Sequence, residues 1–336
     1  MNAQEQQATL DPKIPRITGL LVIEVRDSNP NGDPDNAGFP RQRPDGRGEI
    51  SPVSIKRKLR ELVASKDGMV WLEIKRRISL GDDADKDFDI LETRGRDRKA
   101  IITKMQDGRF EAEYWDARLF GSTFLESRDA VEKEMGRKLT SAEWQKLQKT
   151  IRTGVAHFGV GISVAPIHVR FESWSNKAGV EEGLDRGMAP QALKYVEHGL
   201  YTVPFFVNPT QAGKTKCTRK DVELMLQLLK HAFRDNPSTG RTQVEILHAH
   251  AVEHRDPLGS FSDFALLDAL KPRRVPSEAK EKPSTLINDY IVPQWGREVE
   301  LNGEKAAAVK TLPVRAGNKK TFDQCGTYRD YALDAD

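Results

Sequence analysis

Leu20-Leu21-Val22-Ile23-Glu24-Val25-Arg26-Asp27-Ser28-Asn29-Pro30-Asn31-Gly32-Asp33-Pro34-Asp35-Asn36-Ala37-Gly38-Phe39-Pro40-Arg41-Gln42-Arg43 is the stretch from which the organisation of this chain is read. The apolar run Leu20 to Val25 reads as a strand covered on both faces, and so central in a sheet. The residues after it are turn formers. Glycine accepts positive φ, proline fixes φ, and Asn or Asp side chains bond their own backbone, so the loop should be ordered and tight. Next comes Ser51-Pro52, a helix cap followed by proline at the first helical position. The helix places Ile55, Leu59, Leu62 and Val63 on one stripe and leaves Lys56, Arg57 and Arg60 off it. A strand, an ordered loop and a basic helix together suit a phosphate backbone. Asp27, Asn29, Asn31, Gly32 and Asp33 also imitate the start of a calcium loop. Gly38 stands where the closing bidentate Glu is needed, and a strand stands where a helix is needed, so calcium is not expected.

Working outward, Ile17 to Arg26 is the first strand, and residues 1–13 are a polar lead. Ile162 to Phe171 alternates, with Ile167, Val169 and Phe171 on one side and His168 and Arg170 on the other. Leu200 to Val207 is a further strand, whose Pro204 argues for an edge or a bulge. Thr218-x-x-Asp221 caps a helix bearing Val222, Met225, Leu226, Leu229 and Phe233, and Gln243 to His254 is the last strand. Residues 66–113 read as a charge-rich insertion of helical and hairpin pieces. Thr140 to Glu143 is a capping box inside a helical insertion, 123–152. Without the insertions the order is β, α, β, β, α, β, an α+β, ferredoxin-like pattern shared with the RNA-recognition motif. The aromatic wording of that motif's sheet face is absent, so an ordinary sheet-face RNA reader is not expected.

The chain has 336 residues, 38% hydrophobic and 31% charged, with a net charge of only +3. Clustering says more than the total. Residues 41–60 carry Arg41, Arg43, Arg47, Lys56, Arg57, Lys58 and Arg60 against Asp45 and Glu49, and residues 94–104 are also basic. Such runs are either solvated faces or anion contacts. Cys217 and Cys325 lie far apart and supply neither a disulfide framework nor a cysteine zinc site. No secretory leader and no membrane-length apolar run is read, which points to a cytoplasmic protein without a membrane partner. His248 and His250 share a strand face with His254 near, but no Asp or Cys cluster in the sequence supports a metal, and no cofactor is expected.

Several motifs occur in series: Ser28 to Pro34, then Pro40-Arg41, then Ser54 to Arg60, Trp115-Asp116-Ala117-Arg118-Leu119-Phe120-Gly121, Val196-Glu197-His198-Gly199-Leu200-Tyr201, and Glu253-His254-Arg255-Asp256-Pro257-Leu258-Gly259. In this order they resemble the backbone subunit of type I CRISPR effector (Cascade) complexes, the seventh Cas family, and most nearly its subtype I-C and I-B forms. The resemblance spans roughly residues 17–270, because matches in series compound. The 123–152 insertion is larger than the family pattern, the Gly-rich stretch is reduced to Gly154–Gly161, and the last sixty or so residues match nothing.

The resemblance implies a hand-shaped protein spanning residues 14–274. Its palm is 14–65, 115–122, 154–172 and 199–270. A finger-like insertion is 66–113, a thumb-like insertion is 173–198, and a C-terminal extension, 275–336, has no assigned role. It implies a non-catalytic subunit that polymerises along the spacer of a CRISPR RNA guide, ready for pairing with target DNA in antiviral defence. Its partners would be neighbouring copies, a fifth-family subunit at the guide's 5′ handle, large and small subunits, and a recruited helicase–nuclease. Candidate RNA contacts are Asn29, Asn31, Arg41, Arg43, Lys56, Arg57, Arg60, Phe120, Arg186, Met188 and Lys194. Met188 would be the apolar wedge that unstacks bases. The competing expectation is a metal-independent RNA endonuclease on a ferredoxin-like fold that processes the guide precursor, with His157 and Tyr114 or Lys104 as its acid–base pair.

Overall fold

The computed structural model describes residues 14–93, 95, 97–123, 127–176, 189–236, 238, 240–276, 279–311 and 321–333. The candidate contacts Arg186 and Met188 lie outside the described residues. The chain is α+β, built on a large antiparallel sheet. Its elements are β1 (Ile17–Ser28), β2 (Arg47–Ile50), α1 (Pro52–Ala64), α2 (Met69–Arg77), α3 (Arg98–Asp107), α4 (Trp115–Phe120), α5 (Arg128–Met135), α6 (Ser141–Gln148), β3 (Ala156–Phe158), β4 (Gly161–Pro166), β5 (Val169–Asn176), β6 (Ala189–Val207), α7 (Arg219–Leu228), β7 (Val244–His254), α8 (Asp263–Leu270) and β8 (Gly326–Asp330). The eight-stranded sheet runs β8-β7-β1-β6-β4-β2, with β3 and β5 also paired to β6. The expected first strand is central, flanked by β6 and β7.

One face of the sheet buries Leu21, Ile23, Val25, Tyr201, Val203, Phe205, Ala249 and Ala251 against the apolar stripes of α1 and α7. Ser51 caps α1 by accepting from the Ser54 amide at 3.2 Å, and Thr218 and Asp221 close a reciprocal capping box on α7. The opposite face carries Leu20, Val22, Leu200 and Val252. It is covered by α8 and by Tyr290, Val309, Phe322 and Cys325, while β8 extends the edge beyond β7. The described part of the C-terminal extension thus occupies the face that an RNA-recognition motif would offer to bases.

Three sequence expectations change. Pro204 lies in a central strand rather than at an edge. Its carbonyl accepts from the Gly159 amide at 2.7 Å, and its nitrogen faces the same way, into the interruption between β3 and β4, where no ladder bond is lost. The expected strand 162–171 is two strands broken at Ile167 and His168, because Ile167 donates instead to the Gly46 carbonyl. The 66–113 insertion has no hairpin among its described residues. Its second half shares one core with the 123–152 insertion: Ile101, Ile102, Met105 and Phe110 pack with Val131, Leu139 and Leu147.

The recurring motifs are largely joints. Trp115 donates from Nε1 to the Asp221 carbonyl at 3.1 Å, and Arg118 pairs with the Asp221 carboxylate at 2.7 Å. Asp116 accepts from the Leu91 and Glu92 amides and from Arg60. His198 is buried between Ser284 (2.7 Å) and Glu24 (3.2 Å). His254 accepts the Ser260 amide at Nδ1, which leaves the proton on Nε2 facing the Thr18 hydroxyl at 2.9 Å.

Candidate nucleic-acid interface

The loop after β1 is ordered by its own polar side chains. Asp33 caps a short turn at Pro34–Asn36 and holds Arg41 at 3.1 Å. Ala37 and Gly38 take positive φ, which lets the chain reverse. Asn29 donates to the Gly38 carbonyl at 2.9 Å. Asn31 is buried, and its Oδ1 accepts from both the amide and the hydroxyl of Ser51, at 3.0 and 2.9 Å. Asn29 therefore closes the loop on itself, and Asn31 fastens it to the start of α1.

Beside this loop, α1 opens onto a hollow of about 520 Å³ lined by Lys56, Arg60, Phe120, Arg152 and His157. Two glycines let its floor form. Gly121 has φ +88°, and a Cβ there would lie 2.4 Å from the Arg152 carbonyl oxygen. A Cβ on Gly154 would lie 2.2 Å from the Phe120 backbone. Lys56 Nζ and Arg60 Cζ each lie 5.3 Å from the centroid of the Phe120 ring. Lys56 has no carboxylate partner among the described residues. Burial, then the neighbouring Arg60, hold its pKa below the usual lysine value. Burial and the Lys56 charge likewise lower that of His157. A half-buried cluster of like charges gains when an anion enters, because the anion repays both desolvation and repulsion.

The other expected contacts divide. Arg57 is exposed and pairs with Glu61 at 2.7 Å. Arg60 does not face freely outward: its side chain is 14% exposed, and its Nε donates to buried Asp116 at 2.8 Å. Lys58 turns inward to the Asn236 carbonyl. Arg43 lies 3.8 Å from Asp45. Phe120 is a buried wall of the hollow rather than an open platform. Lys104 is committed to Glu113 and Asp89 and lies over Tyr114, and neither Lys104 nor Tyr114 lines the hollow that holds His157.

A second surface lies at the base of the β5–β6 ribbon. Phe171 faces Lys194 across the ladder and stacks on Phe39, with ring centroids 6.2 Å apart and an interplanar angle of 29°. Lys194 Nζ sits 4.4 Å from the Phe39 centroid and donates to the Ala37 carbonyl. Phe171 is 56% exposed. Lys194 was among the candidates read from the sequence, and Phe39, Phe171 and Arg152 were not. The available signal was an aromatic at an outward position of a polar strand. Phe171→Ala should leave folding intact and weaken binding of single-stranded RNA by about 1–3 kcal/mol, the range for one stacked base. Fluorescence anisotropy with a labelled oligonucleotide reads this directly, and unchanged affinity would remove the platform from the interface.

The family model described as CRISPR-associated protein Cas7 matches residues 15–294. The chain belongs to the Cas7 family. It is a CRISPR RNA-binding backbone subunit in type I CRISPR defence. Two solved structures are similar to it. One, titled "CRISPR RNA-guided surveillance complex, pre-nicking", is 16% identical, with 72% of this chain and 79% of that chain covered and a TM-score of 0.40. The other, titled "CRISPR RNA-guided surveillance complex", is 15% identical, with 70% of each chain covered and a TM-score of 0.37. No curated protein sequence matches this Cas7 chain. No helix among the described residues is long and apolar enough to cross a membrane.

Proposed function

We propose that this Cas7 subunit is a non-catalytic guide holder that polymerises head to tail along the spacer of a CRISPR RNA in a complex of the I-C or I-B kind. The observation that carries the reading is the hollow on α1, where half-buried Lys56, without a carboxylate partner among the described residues, stands over the Phe120 wall beside Arg60. Cations and aromatic faces without a base-reading groove suit single-stranded RNA held without sequence preference, leaving specificity to guide–target pairing. The strand order supports a ferredoxin-like palm, with 66–113 as finger, 123–152 as a helical insertion and the β5–β6 ribbon as the base of a thumb spanning 173–198. Met188 and Arg186, the RNA contacts proposed for that insertion, lie outside the described residues. A repeating head-to-tail contact yields an open filament. The remaining partners would be the handle-binding, large and small subunits, the recruited helicase–nuclease and the paired target DNA, in the cytoplasm.

Co-expression with a repeat–spacer array tests this. Several protein copies on RNA of defined length are expected by mass measurement. Protein that stays free of RNA even when the partner subunits are supplied would overturn the reading. Incubating unprocessed repeat RNA with the protein in EDTA tests the non-catalytic half. No specific product is expected, and cleavage abolished by His157→Ala would install the endonuclease reading instead.

A further inference from the structure

We infer that His248, His250 and Asp330 form a structural binding site for a divalent transition metal of the zinc type, which clamps the C-terminal strand β8 to β7. The two histidines are two residues apart on β7 and therefore share a face, and Asp330 is the registered partner of His250 across the ladder. One ligand atom from each of the three falls within 4.8 Å of the others. His248 Nδ1 lies 2.7 Å and His250 Nδ1 3.6 Å from Asp330 Oδ2. Metal–ligand bonds of about 2.0–2.2 Å in a tetrahedron place ligand atoms about 3.3 Å apart, and the two separations from Asp330 bracket that value. Two imidazoles and a carboxylate are a donor set for zinc and its neighbours rather than for calcium or magnesium.

The surroundings are those of a held site. Asp330 Oδ1 accepts the amides of Ala249 and Ala332, at 2.9 and 3.1 Å, which aims Oδ2 at the histidines. The Tyr328 hydroxyl lies 2.8 Å from His250 Nδ1 and 3.5 Å from Asp330 Oδ2, closing a fourth side with oxygen. The imidazole rings stack at 4.8 Å with an interplanar angle of 10°.

Hydrogen bonding alone does not account for His250. It is 1% exposed, and its Nε2 has no hydrogen-bond partner among the described residues. His254, on the same strand, has both nitrogens paired and is explained as a joint. Ligation at Nδ1 places the single proton of a neutral His248 on Nε2. The sequence offered only two of the three ligands, because Asp330 is brought in by the sheet from the far end of the chain.

The test uses the full-length, untagged chain, stripped with EDTA and RNA-free, then loaded with zinc chloride and desalted. About one zinc per chain is expected by elemental analysis. Cobalt chloride should give the visible absorption of a four-coordinate, nitrogen- and oxygen-ligated ion. His248 is 12% exposed on its side chain, so His248→Gln should fold, as circular dichroism would check, and lose at least about 100-fold in zinc affinity. Zinc should also slow hydrogen exchange in residues 326–330. No retained metal in the wild type, or equal retention in folded His248→Gln, would overturn the inference. If Asp330→Asn fails to fold, His248→Gln and the wild-type cobalt spectrum still decide.

Discussion

Lys56→Glu lowers the affinity for guide RNA at every spacer sequence and flattens its salt dependence. The residue sits on the first turns of α1, whose start is fixed by Ser51 and by Asn31 behind it. Its ammonium is half-buried, lies over Phe120 and has no carboxylate partner among the described residues, so an RNA phosphate is its natural counter-charge. Removing one phosphate contact should reduce the slope of log K against log salt by about 1 and cost roughly tenfold in affinity at low salt, without changing preference among sequences. Copies aligned on one guide multiply the loss. Arg60 is the wrong residue for this experiment. Reversing it would set a second carboxylate against buried Asp116, and lost folding would then be read as lost binding. A titration series at several salt concentrations gives the result. A Lys56→Glu protein with wild-type melting and wild-type RNA affinity would place the guide elsewhere.

Asp221→Ala unfolds the protein under mild conditions or lowers its stability by about 3–5 kcal/mol, the cost of stranding a buried charge. Asp221 is fully buried and serves two elements at once. Its carboxylate receives Arg118 through Nε and a terminal nitrogen, and it caps α7 by accepting from the Thr218 amide at 2.7 Å. Arg118 spends its remaining donors on the carbonyls of Glu111, Ala112 and Asp87, so it cannot swing to water. The loss is large against the 5–15 kcal/mol total typical of a domain. Urea unfolding should show a lower midpoint at unchanged slope. A shift worth less than about 1 kcal/mol would mean that those carbonyls alone satisfy the guanidinium.

The elements were legible where local chemistry is enough to specify them. The run Leu20–Val25 could be placed in the centre of a sheet because it has no polar face. The helix starts at Ser51, Thr140 and Thr218 could be placed because each cap is a contact within four residues. Lys56 was found for the same reason: it falls off the helix's apolar stripe. Arg60 falls off the same stripe, but its pairing with Asp116 was not legible, because the two lie 56 positions apart. Phe39 and Phe171 meet only because β1 leads into the loop on one side of the ribbon while β5 forms its other strand. The motif Trp115 to Gly121, one of those that carry the family resemblance, is mainly a joint between α1, the helical insertions and α7.

By itself, the sequence determined the family, the main strands and helices, and the basic character of α1, since each depends on residues near one another along the chain. Only the tertiary structure decided four things: which cations of α1 are free, that the second half of the 66–113 insertion shares one core with the 123–152 insertion, that the C-terminal extension covers the second face of the sheet, and that Asp330 completes a cluster with His248 and His250. In each, the partners are separated by tens to hundreds of residues, and periodicity and capping carry no information about which distant side chain the fold brings alongside.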